Sequence, residues 1–113
     1  MSSLLEELNK AHVMMPREYL EIASTWINRA KSELRRAMSL LSPDASAQQV
    51  NAAATIIQQV SSGLQYAVNL VAPYQATDPD AAELAIELQQ VQAMLQELQQ
   101  RISAIMLRLS LRS

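Results

Sequence analysis

Three long segments of the chain repeat apolar residues at alternating steps of three and four, the spacing of a helix face that packs against other helices. In residues 16–41 the repeat is Leu20, Ala23, Ile27, Ala30, Leu34, Ala37 and Leu41. In residues 46–72 it is Val50, Ala53, Ile57, Val60, Leu64, Ala67 and Val71. In residues 79–112 it is Leu84, Leu88, Val91, Leu95, Leu98, Ile102, Ile105 and Leu109. These repeats predict three long amphipathic helices.

The residues between these segments predict where the second and third helices begin. Either Ser42 or Ser46 can cap the second helix, and Ser46 has Gln49 three residues later, the spacing of a capping box. Asp78 followed by Pro79 suits the start of the third helix, because aspartate caps a helix well and proline fits its first position. Both connections are short, so consecutive helices should be antiparallel neighbours.

The beginning of the chain predicts a short additional helix. Ser3 and Glu6 have capping-box spacing, and Pro16 should end or kink the helix that they start. The expected fold is therefore all-α: an antiparallel bundle of three long helices plus a short N-terminal helix, resembling a four-helix bundle, in a single domain of residues 1–113. At about 1.5 Å per residue the 16–41 helix is roughly 39 Å long and the 79–112 helix roughly 50 Å. The longer helix should protrude by about two turns, or be covered by the short helix or by another copy.

Residues 45–77 contain no Asp, Glu, Lys, Arg or His. Within them, neutral polar residues recur at helical spacing on the side away from the apolar repeat; we call this set the neutral stripe, and it consists of Asn51, Thr55, Gln58, Ser62, Gln65 and Asn69. Charge is depleted where proteins meet, because an unpaired buried charge is costly to desolvate. The stripe therefore predicts a protein contact with the short helix, a second copy or a different protein. The alternative is a water-facing helix whose polar residues are simply neutral.

The C-terminal end of the chain offers a second candidate surface. Three residues widen its apolar face beyond the core repeat, and we call them the apolar end: Met106, Leu107 and Leu111. Arg101, Arg108 and Arg112 add positive charge beside them. This segment could dock on a partner helix or on an anionic membrane surface, of which we favour the protein. The alternative is that the short helix or another copy covers it.

Four cations form the densest basic cluster of the chain: Arg29, Lys31, Arg35 and Arg36. They could contact phosphate, although no aromatic residues are interleaved with them. The alternative is a solvated face that complements the negative end of the helix dipole. The net charge of −2 argues against a protein that binds nucleic acid through its overall charge.

Two further residues of the long helices call for an explanation. Gly63 is the only glycine of the chain and lies inside a predicted helix, where it costs about 1 kcal/mol relative to alanine. A close helix approach or a local bend would account for it, and a tolerated imperfection is the alternative. Trp26, with Tyr19 and Ile22, forms a second stripe on the 16–41 helix. We expect it to pack on the short N-terminal helix, or to be an interaction hot spot if it is exposed.

The composition excludes several classes of chemistry. The chain has no cysteine, one histidine (His12) and one glycine. It therefore lacks the ligands of a zinc or di-iron site and the glycines of a nucleotide-binding loop. We predict no enzyme activity, no cofactor and no metal. The lack of cysteine, of a basic leader and of a long apolar stretch favours a cytoplasmic location.

Together these patterns favour a non-catalytic helical interaction module, such as an adaptor, an assembly factor or a small chaperone. It would self-associate or dock a protein partner through the neutral stripe and the apolar end. We expect a homo-oligomer, and favour neither nucleic acid nor membrane as a partner. The alternative is a small accessory subunit or inhibitor of a nucleoprotein complex, in which the basic cluster contacts phosphate.

Overall fold

The computed structural model of the protein describes residues 14–112. Over this range the chain forms three α-helices, α1 (Arg17–Leu40), α2 (Ala47–Val71) and α3 (Pro79–Arg112), and a 3-10 helix (Ala72–Tyr74) that follows α2. The described residues include no strand. Each α-helix packs against the other two, which confirms the all-α fold of three packed helices. The predicted short N-terminal helix lies outside the described residues.

The core consists of the three apolar repeats that the sequence displays. Nearly all of their residues are buried, and Ile27, Leu34, Val71, Val91 and Leu98 are the largest of those that are fully buried. Leu20, Leu64, Ile102 and Leu109 are partly buried and pack against this core. Complete burial of a side chain of this kind contributes roughly 2 kcal/mol, so these inward faces account for the association of the three helices.

The helix starts follow the predicted capping chemistry. The backbone N–H of Gln49 donates to Ser46 Oγ over 3.2 Å, and the backbone N–H of Ser46 donates to Gln49 Oε1 over 2.9 Å. This reciprocal pair is the predicted capping box, with Ser46 rather than Ser42 as the cap. At the start of α3 the backbone N–H of Asp80 donates to Asp78 Oδ1 over 2.9 Å.

Asp78 also makes a long-range contact that the sequence did not predict. Its second oxygen, Oδ2, accepts a hydrogen bond from the backbone N–H of Met15 over 2.9 Å. Both residues are buried, and Asp78 is the only buried polar residue in the part of the chain that the structure describes. One carboxylate therefore caps α3 and fixes the residue that leads into α1 beside the connection between α2 and α3.

The extra length of α3 is divided between the two ends of the bundle. Val71 at the end of α2 lines the same groove as Ala85, so the first residues of α3 lie beyond α2 and pack along the 3-10 helix. At the other end Met106 and Leu109 line a groove with Val50. The last residues of α3 therefore run beside the start of α2.

Gly63 marks a close approach of α1 and α2, which is one of the explanations that the sequence left open. A Cβ atom on Gly63 would lie 2.5 Å from Trp26 Nε1 and 2.9 Å from Trp26 Cε2. The half-buried indole of α1 therefore occupies the space that any larger residue would need on α2. Gly63 has no positive φ, so the glycine is required for space and not for its backbone conformation.

Candidate interaction surfaces

All six residues of the neutral stripe lie on the exposed side of α2. Several of their polar groups bond within the helix. Thr55 Oγ1 donates to the backbone carbonyl of Asn51 over 3.1 Å, and Ser62 Oγ donates to that of Gln58 over 2.9 Å. Gln65 Nε2 donates to Asn69 Oδ1 over 2.9 Å. The stripe is thus a continuous row of amides and hydroxyls that faces outward.

The surroundings of the stripe are also free of charge. Every residue of α2 is neutral, and its N-terminal turn is capped by the Ser46–Gln49 pair without an acidic residue. Beside the stripe, Tyr66 is 62% exposed, the most exposed aromatic residue among the described large hydrophobic residues. A solvated helix face normally carries charged residues. The outward side of α2 therefore combines exposure with the composition of a face that becomes desolvated.

The apolar end is uncovered over the described part of the chain. The exposed fraction is 55% for Met106, 62% for Leu107 and 78% for Leu111. Met106 forms one wall of a shallow, mostly apolar groove of about 310 Å³ between the start of α2 and the end of α3. Leu107 and Leu111 are one turn apart and point to the adjacent side of α3. The predicted cover by the short N-terminal helix lies outside the described residues.

Two of the three arginines near the apolar end are engaged within the chain. Arg108 Nη2 donates to the backbone carbonyl of Ala45 over 2.7 Å, whereas its buried Nε has no hydrogen-bond partner among the described residues. Arg101 forms an ion pair with Glu97 at 3.2 Å. Arg108 therefore fixes the end of α3 to the connection between α1 and α2, a structural role that the sequence did not predict.

The same connection holds Asp44, whose carboxylate is stabilised by a neighbouring side chain. A hydrogen bond from the Ser42 hydroxyl lowers the pKa of Asp44 below its ordinary value, with further lowering by the backbone N–H of Asp44 and by Arg108. The Ser42 Oγ to Asp44 Oδ1 distance is 3.0 Å. Because Asp44 is exposed, this arrangement is a solvated loop contact and shows no feature of an acid–base site.

The basic cluster is divided between two sides of α1. Lys31 Nζ lies 3.3 Å from Glu87 Oε1 on α3, whereas Arg36 Nη2 lies 2.7 Å from Glu33 Oε2. Arg29 and Arg36 line a groove against α2, on the side away from Lys31. Within residues 14–112, Arg29 and Arg35 form no ion pair. The structure therefore does not bring the four cations together into one phosphate-sized site.

The described range offers little for metal or membrane chemistry. Between residues 14 and 112 no three His, Cys, Asp or Glu side chains come together as metal ligands would. None of the three α-helices is sufficiently long and apolar to cross a bilayer. His12 lies outside the described residues.

The comparisons with known proteins add no family. No protein-family model matches the chain, and the searches of curated proteins and of solved structures each found no match.

Proposed function

We propose that this protein is a non-catalytic helical interaction module, which self-associates or docks a protein partner through the neutral stripe and the apolar end. An adaptor, an assembly factor and a small chaperone all work in this way. The predicted short N-terminal helix, as a fourth member of the bundle, belongs to the same proposal. The observation that carries it is the exposed yet uncharged outward face of α2.

The free energy needed to remove water from this face is low, because the face carries no charge. An isolated charge is costly to desolvate, whereas an amide or hydroxyl can regain its hydrogen bonds from a neutral partner. A face such as that of α2 can therefore be covered at low cost. The apolar end supports the same function, since covering Leu107 and Leu111 removes apolar surface from water.

The stripe is tested by placing charge on it. We expect Gln58→Glu with Gln65→Glu to weaken association, because two carboxylates would have to be desolvated or face each other. Both positions are exposed, so the free energy of unfolding should change by no more than about 0.5 kcal/mol. The measurements are mass by light scattering over a concentration series, retention of proteins from a lysate by the immobilised chain, and thermal unfolding by circular dichroism.

The matched control is Asn28→Glu with Ser32→Glu, which adds the same charge to exposed positions of α1. The new carboxylates lie three and four residues before Lys31 and Arg36, and these attractions should offset the repulsion between the two carboxylates, which are one turn apart. If the α2 variant and this control both retain the association of the parent chain, the stripe has no role in binding.

The nucleoprotein alternative has one supporting observation. Arg29 and Arg35 are not neutralised by any described carboxylate. The other two cations of the cluster are paired, and the four lie on different sides of α1. Since affinity for nucleic acid grows with the number of phosphates neutralised together, this function ranks second.

A further inference from the structure

We infer that the neutral stripe binds the neutral stripe of a second copy of this chain, with the two α2 helices antiparallel about a two-fold axis midway between Gln58 and Ser62. This inference rests on the proposed function and specifies its partner and geometry. Three properties of the face favour this arrangement: its lack of charge, the order of residue sizes along it, and the hydrogen-bonding capacity left on its side chains.

The absence of charge favours a second copy as the partner. In a two-fold interface the same surface patch is present on both sides and must complement itself. A patch with charges of one sign would face the same charges on the other copy. It could pair only if positive and negative residues alternated along it. A patch of amides and hydroxyls avoids this cost, because each group both donates and accepts. The exposed face of α2 has this composition along its whole length.

The order of the residues favours an antiparallel arrangement. If two stripes cross head to tail about their midpoint, Gln58 lies opposite the partner's Ser62, and Gln65 lies opposite the partner's Thr55. Each long amide then faces a small hydroxyl residue, and Asn51 faces the partner's Asn69. In a parallel arrangement each residue would face its own copy, so that glutamines would crowd each other and serines would leave gaps. Filled contacts are favoured over gaps and clashes.

The flank of the stripe shows the same complementarity. Ala52, Gln59 and Tyr66 follow one another at seven-residue spacing on one side of it, and all three are exposed. In the antiparallel arrangement Tyr66 lies over the partner's Ala52, and Gln59 lies near the partner's Gln59, close to the two-fold axis. The exposed ring of Tyr66 would thus be covered by a residue small enough to accept it, with its hydroxyl left at the wet rim.

The hydrogen bonds already made within α2 leave the required groups available. The hydroxyls of Ser62 and Thr55 donate to carbonyls of their own helix, so their oxygens can still accept from the amides of the partner's Gln58 and Gln65. Gln65 uses one of its two amide hydrogens on Asn69, and the other remains. One helix per copy is a small interface, so we expect a dimer that dissociates on dilution.

Cysteine crosslinking tests the arrangement directly, because the chain contains no cysteine of its own. Asn51→Cys and Asn69→Cys are made as separate full-length proteins, one of them with a tag that changes its size. Each is oxidised alone, and the two are oxidised as a mixture, at a concentration where light scattering shows the dimer. In the antiparallel dimer, residue 51 lies beside the partner's residue 69, whereas the two copies of residue 51 are about 27 Å apart.

The expected result is a covalent dimer that contains one copy of each variant as the main product of the mixture, with only traces from either variant alone. Prominent dimers from each single variant would overturn the antiparallel arrangement in favour of a parallel one. A dimeric mass without any crosslink would move self-contact to another surface, and a monomeric mass at every concentration would overturn self-contact altogether. In these last two cases the proposed function still stands if Leu107→Glu with Leu111→Glu weakens self-association, or if Gln58→Glu with Gln65→Glu reduces binding of other proteins, and it fails if neither change has an effect.

Discussion

Helices α1 and α2 are alike on their inward sides and opposite on their outward sides. They contain 24 and 25 residues, and each buries one apolar repeat against the rest of the bundle. α1 carries eight charged residues, five of which form ion pairs with neighbours on the same helix or on α3. α2 carries none. A helix of this bundle therefore tolerates many outward charges without loss of its inward packing.

The difference in outward charge between α1 and α2 shows that folding does not require the surface of α2 to be uncharged. Folding requires the apolar repeat and satisfied helix ends, and α2 meets the second need with the neutral Ser46–Gln49 pair. Nothing in the packing of the three helices excludes charge from Gln58 or Gln65, because both are exposed. The absence of charge on α2 is thus a property of its outward face, and this is why we propose that the face binds another protein.

The largest effect is expected where α1 and α2 approach most closely. Gly63→Ala should destabilise the protein by about 1 kcal/mol, because overpacking against Trp26 costs about 2 kcal/mol and the better helix propensity of alanine returns about half of it. Removal of the indole should reverse the sign. In a Trp26→Ala background, Gly63→Ala should stabilise the protein by about 1 kcal/mol.

Urea unfolding of the four proteins in this double-mutant cycle provides the measurement. A Gly63→Ala substitution that stabilises the protein even when Trp26 is present would show that the indole is free to move away. The glycine would then be a tolerated imperfection of α2 and not a point of contact with α1.

The contact between Gly63 and Trp26 illustrates which features of the fold could be predicted from the sequence and which could not. The apolar repeats predicted the three helices and most of the core, because burial of one face is periodic and local in sequence. The predicted bounds lie within one residue of the observed ones, except at the start of α2, where Ser42 and Ser46 were both candidates. A close approach was one explanation of Gly63, but the sequence did not identify Trp26 as the side chain that lies against it. The expected packing of Trp26 on the short N-terminal helix lies outside the described residues. Heptad spacing defines which face of a helix is buried, and does not define which flanking side chains meet across two helices.

The contacts at the two ends of the bundle could not be predicted from the sequence either, because they join residues that are far apart in the chain. Asp78 was correctly predicted as a helix cap, yet its bond to Met15 joins residues 63 positions apart. Arg108 was assigned to a docking surface and instead donates to Ala45. Asp78 and Arg108 are both charged residues beside an apolar repeat, which is an unusual position. Their partners, Met15 and Ala45, can be identified only from the fold. The exposure of the stripe could be predicted from helix phase alone, whereas no pattern within one chain showed whether another molecule covers it.

A smaller effect is expected for the one charge of α1 that joins it to another helix. Lys31→Met should destabilise the protein by about 0.5 kcal/mol through loss of the partly exposed ion pair with Glu87. The effect should shrink as salt is added, because screening weakens the pair. Thermal unfolding at low and high ionic strength measures it, with Lys31→Met in a Glu87→Gln background as the control. Unchanged stability at both ionic strengths would mean that the charges of α1 serve only solvation.

The smallest effect on folding is expected for the two unpaired cations of α1. Arg29→Gln with Arg35→Gln should change the free energy of unfolding by no more than about 0.5 kcal/mol. It should leave the solution mass unchanged, since neither residue belongs to the neutral stripe. Fluorescence anisotropy with short DNA and RNA at low ionic strength should detect no binding by the parent chain, because two cations neutralise too few phosphates.

This last variant can reverse the assignment of the two helices. A salt-dependent affinity of the parent chain for nucleic acid that falls on loss of Arg29 and Arg35 would place the binding surface on α1. The neutral face of α2 would then be a solvated side of the bundle that happens to lack charge. If no such affinity exists, and charge on Gln58 and Gln65 weakens association, the two helices divide the work of the protein. The charges of α1 would then serve solubility and the link to α3, and the uncharged side of α2 would serve binding.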